Sequence, residues 1–139
     1  VYYVQYAHAR ICSILRKAAS EEDAAAVMAG KMSMDELVEK IIPVDADLSV
    51  LTDPSEIALL RKMSDFGDLV AQAARDRAPF RMTHYAQDLA SLFHQFYTNC
   101  HVLVEDERLQ TARLYLADAA RINLSQALGL LGVSSPVQM

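Results

Sequence analysis

Over residues 2–19 the apolar positions Val4, Ala7, Ile11, Leu15 and Ala18 recur every three or four residues, the period of one helix face. Tyr6, Arg10, Ser13 and Lys17 fall together on another face. Ser20 followed by Glu21, Glu22 and Asp23 reads as an N-cap with acids in the first turn, opening a short helix that Gly30 closes. Ser33 with Glu36 forms a capping box for a second short helix to about Lys40, and Pro43 stops it. Residues 43–53 show no helical period and read as a connection.

Asp53-Pro54-Ser55-Glu56 combines an N-cap, a proline at the first helical position and a glutamate at the third. Leu59, Leu60, Met63 and Phe66 supply that helix with its apolar stripe, and Gly67 is expected to kink or break it. A stretch from Leu69 to about Arg77 runs on to Pro79. Thr83 is read as the cap of a long helix to about Val104, with Leu89, Leu92, Phe93, Phe96 and Cys100 on its apolar side. A last helix spans about Glu107 to Leu131, its buried face marked by Leu109, Ala112, Leu116, Ala120, Leu124, Ala127 and Leu131, and Gly132 ends it. No strand-like alternation stands out. The pattern predicts an all-α fold, a bundle of four main helices.

Composition agrees. The chain has 139 residues, about one domain, rich in alanine (21) and leucine (17) with four glycines and four prolines. That argues against a β-sandwich, a collagen-like chain or a disordered segment. No apolar run approaches the length of a membrane span, no secretory leader is visible, and two cysteines make no disulfide framework, so a cytoplasmic location is expected. The start at Val1 suggests a piece of a longer or processed protein.

Charge changes the picture more. The net charge of −5 speaks at first against a nucleic-acid partner. Yet residues 1–19 carry +3 and no acid, whereas residues 20–56 carry −8. The remainder is near neutral, so the acidity belongs to one segment.

Catalytic motifs are absent: no H-E-x-x-H spacing, no glycine-rich phosphate loop, no Cys–His signature. His84 with Asp88 and His101 with Glu105 stand four apart and read as surface charge pairs. His94 and His101, seven apart, would share a helix face, but structural roles are the expectation for all four histidines. Cys100 reads as a small core residue. Tyr6 and Arg10, one turn apart and off the apolar stripe, could stack on a base and pair with a phosphate or base edge.

The residues in order carry a resemblance. Tyr3-Val4-Gln5-Tyr6-Ala7-His8-Ala9-Arg10 resembles the Y-x-Q-Y-A-H-x-R segment that opens the C-terminal anticodon-binding domain of arginyl-tRNA synthetases. Leu89-Ala90, Phe93-His94, Phe96-Tyr97, Cys100 and Val102-Leu103 resemble that family's L-A-x-x-F-H-x-F-Y-x-x-C-x-V-L. Ala112-Arg113-Leu114 follows, and Asp118-Ala119-Ala120-Arg121 is similar to the D-A-L-R signature. Leu130-Leu131-Gly132-Val133, Pro136 and Met139 resemble its L-L-G-[IV]-x-x-P-x-x-M ending. The match covers the chain except about 20–56, which reads as an acidic insertion within a single 1–139 domain. Gly30-Lys31-Met32-Ser33-Met34 is similar to the K-M-S-K loop of class I synthetases, but its fourth residue is Met34, and it is assigned a helix cap and no catalysis.

The resemblance implies a helical domain that docks on the tRNA anticodon stem-loop. It assigns Tyr6 and Arg10 from the first segment, Tyr97 from the long helix and Met139 from the ending as anticodon-binding residues. Met139 with its terminal carboxylate could accept from an exocyclic amine, which suits the family's preference for cytosine at the central anticodon position. It further implies a monomer with an arginine-accepting tRNA as partner, and no DNA or membrane. No cofactor is expected in this piece, with ATP and Mg²⁺ serving the full-length arginine–tRNA ligase. His101 departs from the family's usual arginine, and Val137-Gln138 from its Glu-Arg or Glu-Lys. A second reading stays open: a helical protein-interaction module that uses the acidic 20–56 segment.

Overall fold

The computed structural model describes residues 1–139. Seven α-helices and one 3₁₀ turn make up the chain: α1 (Tyr2–Ala18), α2 (Glu21–Met28), α3 (Met34–Ile41), a turn at Leu48–Val50, α4 (Pro54–Ser64), α5 (Phe66–Asp76), α6 (Phe80–Asn99) and α7 (Glu107–Leu130). There is no strand, and the all-α expectation holds. No helix is long and apolar enough to cross a membrane.

α1, α6 and α7 pack against one another, and α4 lies against α6 and α7, giving the four main helices. The core they share is built from Ile11 and Leu15 of α1, Leu59 of α4, Leu89, Phe93 and Phe96 of α6, and Leu116 and Leu124 of α7, all fully buried. These are stripe positions of the sequence pattern. Leu92, Leu109 and Leu131, expected among them, are only half-buried.

Caps written in the sequence form as expected. The Ser20 and Ser33 hydroxyls accept from the Asp23 and Glu36 backbone N–H groups, each at 3.1 Å. At α4 the capping box closes in both directions: Asp53 accepts from the Ser55 N–H at 2.8 Å, and Glu56 accepts from the Asp53 N–H at 2.9 Å. Gly30 and Gly132 both have positive φ, +74° and +71°, the left-handed geometry that ends a helix most cheaply at glycine.

Three boundaries differ from expectation. The break after α4 falls at Asp65, and Gly67 lies inside the first turn of α5. The Ser64 hydroxyl donates to the Arg61 carbonyl at 2.7 Å, and the Asp65 N–H bonds three residues back to Lys62, so the α-helical ladder ends there. α6 opens at Phe80 rather than at Thr83. Arg77 takes a left-handed conformation (φ 51°), the Ala78 N–H reaches back to the Ala73 carbonyl at 2.9 Å, and the chain reverses straight into Pro79. α6 ends at Asn99, because Cys100 turns extended and both Cys100 and Val102 are buried in the connection to α7. His101 therefore leaves the helix and does not share a face with His94. The two charge pairs expected of histidines are absent: Asp88 meets Lys62 at 3.4 Å, and His84 packs edge-on against Phe80.

The acidic segment belongs to the bundle. Val27, Met34, Leu37, Ile42 and Leu51 are buried in the common core, and α2 and α3 rest on α1. Several of its acids meet arginines of α7: Asp35 takes Arg121 at 2.6 Å, Asp47 takes Arg108, and buried Glu56 takes Arg113 at 2.8 Å. Asp23 pairs with Lys40 inside the segment at 3.0 Å. Nothing here supports the reading of residues 20–56 as a free contact surface.

Candidate functional site

α1 carries two working faces besides its core stripe. On one, Gln5, His8 and Arg16 hold the residues after α7 in an extended path across the helix. Gln5 Nε2 donates to the Ser134 carbonyl at 2.8 Å, His8 Nδ1 donates to the Pro136 carbonyl at 2.9 Å, and Arg16 donates to the Val137 carbonyl at 2.8 Å. Ser125 and Ser135 bond hydroxyl to hydroxyl at 3.0 Å, tying the same tail to α7. This brings Gln138 and Met139 alongside Tyr6, Arg10, Ser13 and Arg16, where together they line an open groove of about 310 Å³.

On the neighbouring face, the Arg10 guanidinium lies 5.3 Å from the Tyr6 ring centre and 4.4 Å from that of Tyr97 on α6. Cations over aromatic faces at such distances are attracted by the ring quadrupole, so the two tyrosines hold the guanidinium in place. All four sequence-predicted residues are thus brought together. Tyr6 (46% exposed), Tyr97 (38%) and Met139 (56%) remain open to solvent. Tyr97 is therefore not a core residue.

The arrangement also recruits residues the sequence reading left out. His94 stacks beside Tyr6 with ring centres 6.2 Å apart, and lies 5.2 Å from Tyr3. Burial, followed by the Arg10 charge, holds the His94 imidazole below its ordinary pKa, so it serves as a neutral ring. Spacing could have pointed to both: Tyr3 precedes Tyr6, and His94 precedes Tyr97, by one helical turn. Arg16 and Gln138 enter only through the folded tail.

No covalent or metal chemistry gathers here. The Cys12 thiol lies 3.8 Å from His8, and burial pushes both Cys12 and Cys100 up to about 11, opposite to what a nucleophilic thiolate requires. No group of three or more His, Cys, Asp or Glu side chains is placed to hold a metal ion. What the site offers is stacking faces, fixed guanidinium donors and a positive field along an acid-free helix.

Through its bond to Pro136, His8 is expected to make the tail pH-sensitive. Burial holds its imidazole below 6.5; the bond to Pro136 works against that shift and the nearby Arg121 charge adds to it. Unfolded chains then bind a proton near pH 6.5 that the folded chain refuses, so stability is full above that pH and falls as pH drops through the folded value. Melting at about pH 5 is expected below melting at about pH 7.5, with amide-exchange protection lost first over residues 134–137. The decline should flatten in His8→Ala; an equal slope in both chains would remove His8 from the account.

Comparison with known proteins extends this geometry. Residues 4–139 match the family described as the DALR anticodon binding domain. An arginine–tRNA ligase of Heliobacterium modesticaldum is 48% identical over 139 residues, covering 100% of this chain and 23% of that protein. One of Moorella thermoacetica is 45% identical, covering 100% and 22%. The chain thus spans less than a quarter of the length of these curated relatives. Among solved structures, the arginyl-tRNA synthetase of Thermus thermophilus superposes with a TM-score of 0.74 at 33% identity, over 99% of this chain and 21% of that one.

Proposed function

Because the chain belongs to the DALR anticodon binding domain family, we propose that it grips the anticodon stem-loop of an arginine-accepting tRNA as a domain of an arginyl-tRNA synthetase. The observation that carries this is the Arg10 guanidinium held by the Tyr6 and Tyr97 rings, in an open groove that Met139 also lines. Single-stranded loops are read by proteins that stack splayed bases on aromatic rings and bond their edges, and each stacked base contributes roughly 1–3 kcal/mol. In this reading Tyr6 and Tyr97 supply the ring faces. Arg10 donates to a base edge or phosphate, and Met139 forms the wall against which the central anticodon base is selected.

Residues 1–139 then act as one RNA-binding domain of a monomeric, cytoplasmic protein. Ligation of arginine to tRNA, with ATP and Mg²⁺, belongs to the part of the relatives that lies outside this chain. The acid-free α1 gives the domain a positive face despite the net charge, while α7 arginines occupy acids of residues 20–56 on other surfaces.

The test is titration of the chain into a fluorescent stem-loop carrying an arginine anticodon, beside a loop with the central cytosine replaced. Tighter binding of the first is expected, by about 5- to 150-fold for roughly 1–3 kcal/mol of base discrimination, and the difference should disappear in a chain lacking Met139. Equal affinity for both loops would overturn the assignment of the groove to that base.

A further inference from the structure

A second groove includes Tyr97 in its lining. It measures about 460 Å³ and is lined by Ile14 and Lys17 of α1, Tyr97 and Thr98 at the end of α6, and His101 and Leu103 of the connection to α7. Tyr97 links the two: it lines this groove, and Arg10 of the first groove rests over its ring at 4.4 Å. The volume falls within the roughly 300–1,000 Å³ of small-molecule sites, ample for one nucleotide.

The floor is fixed. Cys100 and Val102 are buried beneath it, and the His101 carbonyl accepts from Arg113 Nη1 at 2.6 Å. Its rim carries an ammonium, a hydroxyl and an imidazole, and no carboxylate lines it. Lys17 stands seven residues after Arg10 on the same face of α1, about 10 Å along the axis, so one positive rail serves both grooves.

We propose that this groove seats a second unstacked nucleotide of the same RNA loop, its base on the apolar wall of Tyr97, Ile14 and Leu103 and its phosphate at Lys17. The inference rests on the anticodon-loop reading above and, beyond the shared Tyr97, extends it to Ile14, Lys17 and Leu103, which that reading does not use. An aromatic wall beside a cation, in line with a neighbouring groove of the same make, is how single strands are tracked base by base.

The experiment measures binding of an arginine-anticodon stem-loop to the wild-type chain and to Lys17→Ala, Leu103→Glu and Arg10→Ala, with each loop nucleotide made abasic in turn. Lys17 and Leu103 are exposed, so unchanged melting curves are expected of their variants. Lys17→Ala should weaken binding about fivefold and lower the log–log salt slope by about 0.7, one phosphate contact. Leu103→Glu should weaken it about tenfold, and one abasic position that costs the wild type should cost this variant nothing. If Arg10→Ala weakens binding while both groove variants match the wild type, this proposal fails and the anticodon reading stands. If Lys17→Ala weakens binding but no abasic position couples to Leu103, the lysine is a diffuse charge and the seat is refuted. Absence of any stem-loop binding by the wild type would overturn both.

Discussion

Arg10→Ala is expected to weaken binding of an arginine-anticodon stem-loop by roughly 10- to 150-fold. A hydrogen bond to a charged group contributes about 1.5–3 kcal/mol, and about 1.4 kcal/mol is a factor of ten in affinity. The guanidinium is held over Tyr97 at 4.4 Å and near Tyr6 at 5.3 Å, so little freedom remains to be lost when a ligand arrives. The substitution also removes the cation that spaces the two rings. Fluorescence anisotropy over a range of salt concentrations separates two modes of action. A phosphate contact would lower the salt slope by about 0.7. A base-edge contact would leave the slope nearly unchanged and abolish discrimination at the central anticodon position. Arg10→Lys keeps the charge without the planar fork, so it should restore salt dependence and leave specificity impaired. Affinity unaltered in Arg10→Ala would remove this residue from the interface.

The largest effect on stability is expected at Glu56. Its carboxylate is 1% exposed and fully engaged, one oxygen accepting from the Asp53 N–H and the other from Arg113 Nε at 2.8 Å. Glu56→Ala leaves a largely buried guanidinium without its counter-charge, a loss of about 3–5 kcal/mol. For a chain of this size the melting temperature should fall by on the order of 10–15 °C. Replacing the pair together, Glu56→Met with Arg113→Met, should recover much of the loss, because a buried ion pair and an apolar pair of similar volume are often nearly equivalent. Circular-dichroism melts decide this; a fall of less than about 3 °C in Glu56→Ala would show the guanidinium finding another partner. Arg113 also holds the His101 carbonyl, so the double variant should keep the bundle while loosening the connection after α6.

These two residues mark what the sequence could and could not show. Glu56 was visible as a capping residue, because a cap is a relation between positions three apart and Pro54 announces the helix start. Its partner was not, since Arg113 lies 57 residues away and nothing local selects it. The same holds for the tail: Pro136 and Met139 are recognisable through the resemblance, whereas their fixing by Gln5, His8 and Arg16 depends on the finished packing of α1 against α7. Boundaries failed where a nonlocal or unusual conformation decided them. Arg77 enters the left-handed region without being glycine, and Cys100 leaves the helix to bury its side chain.

The charge count shows the difference in another way. Composition assigned −8 to residues 20–56 and suggested a surface in search of a partner. Partners for Asp35, Asp47 and Glu56 were already in the chain, on α7. Tyr6 and Arg10, by contrast, were legible as a pair because only one helical turn separates them, whereas Tyr97 was marked only by the resemblance and meets Arg10 through the packing of α6 on α1.

The tail's attachment to α1 has a consequence for how the domain folds. α1 opens the domain, whereas the carbonyls that Gln5, His8 and Arg16 capture lie 121 to 129 residues further along. Contacts at such sequence separation are the slow ones to form. Until the tail docks, the groove beside Arg10 lacks its Met139 wall, so on the proposed reading a chain can hold most of its helices and still fail to select a base.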